Sequence, residues 1–117
     1  MDGKMSLVYL PVHDMKKALA FYRDQLGLDE SWREGDGTVA FKLPGTEVEL
    51  MIDLVHEGEK NTAGPGFIIP SVDEFYAAQH GKLEFAIKPM DIPPGRLAAV
   101  KDLDGNTLYL FDMSKAG

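Results

Sequence analysis

The chain has no cysteine, which removes disulfide frameworks, thiolate zinc sites and cysteine nucleophiles together. A reducing compartment suits such a sequence, and a cytoplasmic location is the expectation. No uninterrupted apolar run approaches the ~20 residues that a membrane-spanning helix needs. The first residues, Met1-Asp2-Gly3-Lys4, have no apolar signal core, so a soluble, unexported protein without a membrane partner is expected. Basic residues are also in short supply: 12 Lys and Arg against 19 Asp and Glu give a formal net charge of -7. Nucleic-acid binding draws most of its affinity from clustered Lys and Arg facing phosphates, so a nucleic-acid partner is not expected. A cationic or neutral small molecule is compatible with the charge. What remains is 117 residues, 44% hydrophobic and 26% charged, which fit one globular domain over 1–117 with a real core.

Along the chain, Ser6-Leu7-Val8-Tyr9-Leu10-Pro11-Val12 reads as a strand rich in β-branched and aromatic types, closed by a proline that cannot donate to a sheet. Asp14 then stands where a helix N-cap belongs. Met15, Leu19, Phe21, Tyr22 and Leu26 follow near the helical period and Gly27 terminates them, predicting an amphipathic helix of about three turns. Short strands are expected near 29–34, 38–43 and 47–54, separated by Gly35-Asp36-Gly37 and Pro44-Gly45. A polar, glycine-rich connector runs from Glu57 to Gly66. The same order then begins again: a strand over 66–70 that ends in proline, a helix over 72–80 stopped by Gly81, and strands at 83–88, 97–101 and 107–111. Two tandem βαβββ modules result, at about 5–56 and 66–113, as a duplicated unit would give.

Two segments carry a resemblance. Val12-His13-Asp14-Met15-Lys16-Lys17-Ala18-Leu19-Ala20-Phe21-Tyr22-Arg23-Asp24-Gln25-Leu26-Gly27-Leu28 resembles the first strand end, helix and Phe-Tyr…Leu-Gly signature of the vicinal-oxygen-chelate superfamily of glyoxalases, bleomycin-resistance proteins and extradiol dioxygenases. Pro94 to Leu110 resembles that family's closing hairpin and its Asp-Pro-Asp-Gly-Asn turn, with Leu103 standing where the proline usually is. The resemblance implies an α+β fold of two βαβββ modules whose curved mixed sheets surround a cavity, and it implies a homodimer. It leaves function open, because the fold hosts isomerases, dioxygenases, thiol transferases and binding proteins.

Metal-binding members of that family place one ligand on each of four strands. Carried over position by position, these fall on Leu7, Glu49, Phe67 and Tyr109, of which only Glu49 is a ligand type. One carboxylate does not hold a divalent ion against water, so no metal and no other cofactor is expected. With Glu49 facing the cavity, the period of two puts Glu47, Met51 and Asp53 beside it and turns Val48, Leu50 and Ile52 to the helices. The same alternation places Leu7, Tyr9, Phe67, Tyr109 and Phe111 on the cavity wall, with Trp32. The plainer reading is that these aromatics fill a closed core. Glu49 either pairs with a ligand cation, accepts a proton, or is tied up by Tyr9, Tyr109 or Trp32. His13, His56 and His80 sit where exposed polar residues are ordinary, and Ser31 has no inferable acid–base partner.

The sequence thus points to a metal-free small-molecule-binding protein of the bleomycin-resistance kind, its ligand amphipathic or aromatic and cationic, bound by Leu7, Tyr9, Trp32, Glu49, Met51, Phe67, Tyr109 and Phe111. The alternative is a metal-dependent lyase, isomerase or dioxygenase of the glyoxalase superfamily.

Overall fold

The computed structural model describes residues 1–56, 58, 59 and 61–116. Glu57, where the connector is expected to begin, lies outside the described residues. The chain divides into two compact units, Leu7–Ala63 and a second that joins Met1–Ser6 to Gly64–Gly117. The architecture is α+β, and each unit repeats one plan.

In the first unit, which takes β1 (Lys4–Val12) from Leu7 onward, that strand leads into α1 (Met15–Leu19), and β2 (Glu30–Glu34), β3 (Thr38–Lys42) and β4 (Glu49–Leu54) follow. The strand order is β2-β3-β4-β1, with β1 parallel to β4 and the other pairs antiparallel. Asp14 caps α1 as its position predicts, its carboxylate accepting the Lys17 N–H at 3.0 Å. The helix does not run three regular turns. From Ala20 to Gln25 it widens into a π-helix, and the Phe21 carbonyl accepts from Leu26 N–H at 2.9 Å. The wider turn breaks the 3.6 period, so Phe21 is left exposed while Tyr22 stacks on Phe41 with ring centroids 6.1 Å apart. Ala18, Val39, Phe41 and Ile52 form the core of this unit, with Leu10, Val12 and Tyr22 packed around them. Each fully buried large side chain such as Phe41 or Ile52 contributes about 1.5–3 kcal/mol.

In the second unit, β5 (Gly64–Ile68), α2 (Val72–Gln79), β6 (Glu84–Ile92), β7 (Gly95–Lys101) and β8 (Thr107–Phe111) give the order β5-β8-β7-β6. Ser71 caps α2 by accepting from Glu74 N–H at 3.1 Å. Strand β6 runs past the predicted end and through Pro89, which an edge strand with a register shift between Ile87 and Met90 accommodates. Ile69, Val72, Ala98, Val100 and Leu110 form the core beneath α2. Asp112 sits buried at its edge, Oδ2 accepting from Val72 N–H at 2.8 Å and Oδ1 from Arg96 N–H at 2.9 Å and the Ser114 hydroxyl at 2.7 Å. Gly95 makes this possible, since a Cβ there would lie 2.3 Å from Asp112 Oδ1. Leu103, at the proline position of the hairpin turn, is fully exposed, and Asp102 holds the turn by accepting from the backbone N–H groups of Asp104 and Asn106 at 2.9 and 2.8 Å.

Candidate functional site

Strand register decides which side chains share a face. Leu7, Tyr9 and Pro11 of β1 pair with Glu49, Met51 and Asp53 of β4, and Lys42, Ala40 and Thr38 of β3 pair with the same three. Because Leu10, Val39, Phe41 and Ile52 belong to the helix-side core, these residues lie on the opposite face of the first sheet. Tyr9, Glu49 and Met51 are therefore brought together with Leu7, as alternation predicts.

The two carboxylates on this face are held in the same manner. Glu49 Oε1 accepts from Trp32 Nε1 at 3.0 Å, and Oε2 accepts from the Ser31 hydroxyl in a short hydrogen bond. Asp53 Oδ2 accepts from the Tyr9 hydroxyl at 2.9 Å and Oδ1 from the Thr38 hydroxyl at 2.7 Å. Asn61 Nδ2 donates in turn to the Tyr9 oxygen at 3.1 Å. Hydrogen bonds to a charged group contribute about 1.5–3 kcal/mol each, enough to fix both side chains. All four donors to the carboxylates are neutral, and among the described residues neither carboxylate has an ion-pair partner. Both remain half-buried, with Trp32 40% exposed at the rim. A shallow depression of about 390 Å³ over the β3–β4 turn reaches Glu49 from the Lys42 side.

Ser31 corrects the expectation that it has no acid–base neighbour. A register shift between Glu30 and Trp32 marks a bulge in β2, and a bulge turns consecutive residues toward one face. Strict alternation hides this, so Ser31 was invisible as a partner for Glu49. Asp53 carried a better signal, lying four residues beyond Glu49 on the same face, but its partners Tyr9, Thr38 and Asn61 come from three separate segments.

In the second unit, Tyr109 pairs with Gly66 and Ala99, and Phe111 with Ile68 and Leu97. Phe67 pairs with Leu110 and packs against the helix-side core. The expectation that Phe67 shares a face with Tyr109 is thereby corrected: Gly66 and Ile68 occupy that face, and the ligand-position carry-over was one residue out of phase. Tyr109 is buried, and its two cross-strand neighbours, Gly66 and Ala99, are small. Phe111 is half-buried, and His13, His56 and His80 are all exposed.

The donor set does not fit the divalent metal that the resemblance brings with it. Among the described residues no three His, Cys, Asp or Glu side chains come together. Glu49 has both oxygens engaged by Ser31 and Trp32, and Leu7, Phe67 and Tyr109 offer no carboxylate or imidazole.

Residues 4–110 match the family pattern of the Glyoxalase/Bleomycin resistance protein/Dioxygenase superfamily. The uncharacterized protein YraH of Bacillus subtilis is 32% identical over 94% of this chain and 98% of its own length. Among solved structures, the NAD-dependent benzaldehyde dehydrogenase structure from Legionella pneumophila superposes with TM-score 0.73 at 19% identity, over 92% of this chain and 97% of that one. Methylmalonyl-CoA epimerase of Streptomyces coelicolor, bound to 2-nitronate-propionyl-CoA, superposes with TM-score 0.70 at 18% identity, over 97% of this chain and 99% of that one. At such identities the likeness is one of fold.

Proposed function

The chain belongs to the Glyoxalase/Bleomycin resistance protein/Dioxygenase superfamily, and from that premise we propose that it is a metal-independent binding protein, of the bleomycin-resistance kind, for small amphipathic or aromatic cations. The ligand face is that of the first sheet, formed by Leu7, Tyr9, Trp32, Glu49 and Met51. Tyr109 and Phe111, which share a face in their own unit, are proposed as ligand-facing too, and Phe67 is withdrawn from the set. A cytoplasmic homodimer completes the reading.

The observation that carries it is the setting of Glu49. Its carboxylate is oriented by Trp32 and Ser31 without a protein cation, so a bound cation would meet a fixed, uncompensated charge beside an exposed indole. Cation–π contact with Trp32 contributes ~0.5–2 kcal/mol according to desolvation, and truncating one partner of a buried charge pair costs about 2–5 kcal/mol. Charge at Glu49 should therefore outweigh any single ring. Titration of planar cationic compounds against the intrinsic fluorescence of Trp32, the single tryptophan, tests this. Saturable quenching is expected, weakened at least tenfold, or ~1.4 kcal/mol, by Glu49→Gln. Unchanged affinity in that variant, or tighter binding of anionic analogues, overturns the assignment.

A further inference from the structure

Lys42 of β3 and Glu49 of β4 are directly opposite one another on the same face of the first sheet. Opposite charges in such a cross-strand pair attract, contributing about 0.2–1 kcal/mol, yet these two do not meet. Trp32 and Ser31 draw the Glu49 carboxylate toward β2, and among the described residues the Lys42 ammonium has no ion-pair partner. Space opens beside the separated pair: the depression of about 390 Å³ over the β3–β4 turn is lined by Lys42 and Glu49 together with the apolar Leu43, Pro44 and Val48. We propose that this depression takes a small zwitterion of the α-amino-acid class, its ammonium at Glu49, its carboxylate at Lys42 and its apolar side chain over Leu43, Pro44 and Val48.

Residues paired across antiparallel strands have Cα atoms ~5 Å apart, so Lys42 and Glu49 suit two charges carried at one end of a ligand and not at the two ends of a long chain. An ionised carboxylate offers about four lone-pair sites and an ammonium three donors. Glu49 receives one hydrogen bond at each oxygen, which leaves acceptor capacity for an incoming ammonium, and those two bonds fix it before the ligand arrives. Glu47 also lines the depression and keeps it net negative. A lone anion is therefore repelled, and a carboxylate is admitted only on a molecule that also brings an ammonium. The volume of about 390 Å³ falls in the range of small-molecule sites. Lys42 is exposed, so water screens its pull and its contribution is a few-fold in affinity.

The inference rests on the assignment of Glu49 as the cation anchor, and one experiment separates the two. Calorimetric titration of the full chain compares phenylalanine with 2-phenylethylamine, which lacks only the carboxylate, and with 3-phenylpropionate, which lacks only the ammonium. Phenylalanine should bind about three- to fivefold more tightly than the amine, the range of an exposed ion pair, and 3-phenylpropionate should bind most weakly. Lys42→Met should reduce phenylalanine to the affinity of the amine and, by removing a like charge, should not weaken the amine; Glu49→Gln should weaken both. Equal affinity of phenylalanine and the amine for the unsubstituted protein, no binding of phenylalanine at millimolar concentration, or an advantage of phenylalanine that survives Lys42→Met overturns the zwitterion site. If the amine then still depends on Glu49, the anchor stands and only the role of Lys42 is refuted; if the amine is indifferent to Glu49→Gln, the anchor falls as well.

Discussion

Replacing Asp112 by Asn leaves the shape of the side chain and removes one acceptor from a site where every acceptor is used. Oδ2 receives the Val72 N–H, while Oδ1 receives the Arg96 N–H, the Ser114 N–H and the Ser114 hydroxyl. Whichever way the amide turns, its NH2 faces at least one of those donors. The loss comprises a charge-assisted hydrogen bond, about 1.5–3 kcal/mol, and a buried N–H left without a partner, about 1–3 kcal/mol. A destabilisation of about 3–5 kcal/mol is expected in urea unfolding near neutral pH. The pH dependence gives a second reading. Burial pushes the Asp112 carboxyl up, but the hydrogen bonds from Val72, Ser114 and Arg96 together outweigh it and hold the carboxyl below its usual value. A folded pKa below the unfolded one means that the stabilisation is complete above the ordinary aspartate value of about 3.9 and drains away as pH falls through the lower folded value. The gap between parent and Asp112→Asn should therefore narrow with acidification. A gap under about 0.5 kcal/mol, typical of surface substitutions, or one that widens in acid would refute this role of the Asp112 carboxylate.

Phe41→Ala, at a fully buried position, should cost about 3–5 kcal/mol by chemical denaturation; Tyr22→Ala, only half-buried against it, should cost less, and the reverse order would show the π-helical turn to be misplaced. Gly64→Ala would set a Cβ 2.1 Å from the Thr107 carbonyl oxygen. That oxygen is backbone and has little room to give, so thermal melting should show a loss of at least about 1–3 kcal/mol, and a neutral outcome would mean that β5 and β8 are not so closely apposed.

Much of the fold was legible because its signals are local. Asp14 and Ser71 cap their helices where the sequence places them, and the turn residues 35–37, 44–45 and 104–106 separate strands in the expected order. Two misreadings arose where the periods break. The π-helical turn at Ala20–Gln25 exposes Phe21 and the bulge in β2 brings Ser31 to Glu49, while β5 pairs regularly and Phe67 falls on the core face because the family's ligand position was set one residue out of phase. Neither break leaves a mark in a pattern of period 2 or 3.6. Leu7, Tyr9, Trp32, Glu49 and Met51 were legible as neighbours from strand alternation and the family frame, the Trp32–Glu49 hydrogen bond included. The cradle of Asp53 was not, since Tyr9, Thr38 and Asn61 meet it across sequence separations of 44, 15 and, through Tyr9, 52 residues.

The claim on which the account turns is that Glu49 meets the ligand directly and not through a metal. The most direct measurement is the affinity for a planar cation, read from Trp32 fluorescence after exhaustive chelation and again with added zinc, nickel or manganese. Equal affinity with and without metal is the predicted result. Binding that disappears on chelation and returns with one of these ions would contradict the account and restore a metal centre at Glu49.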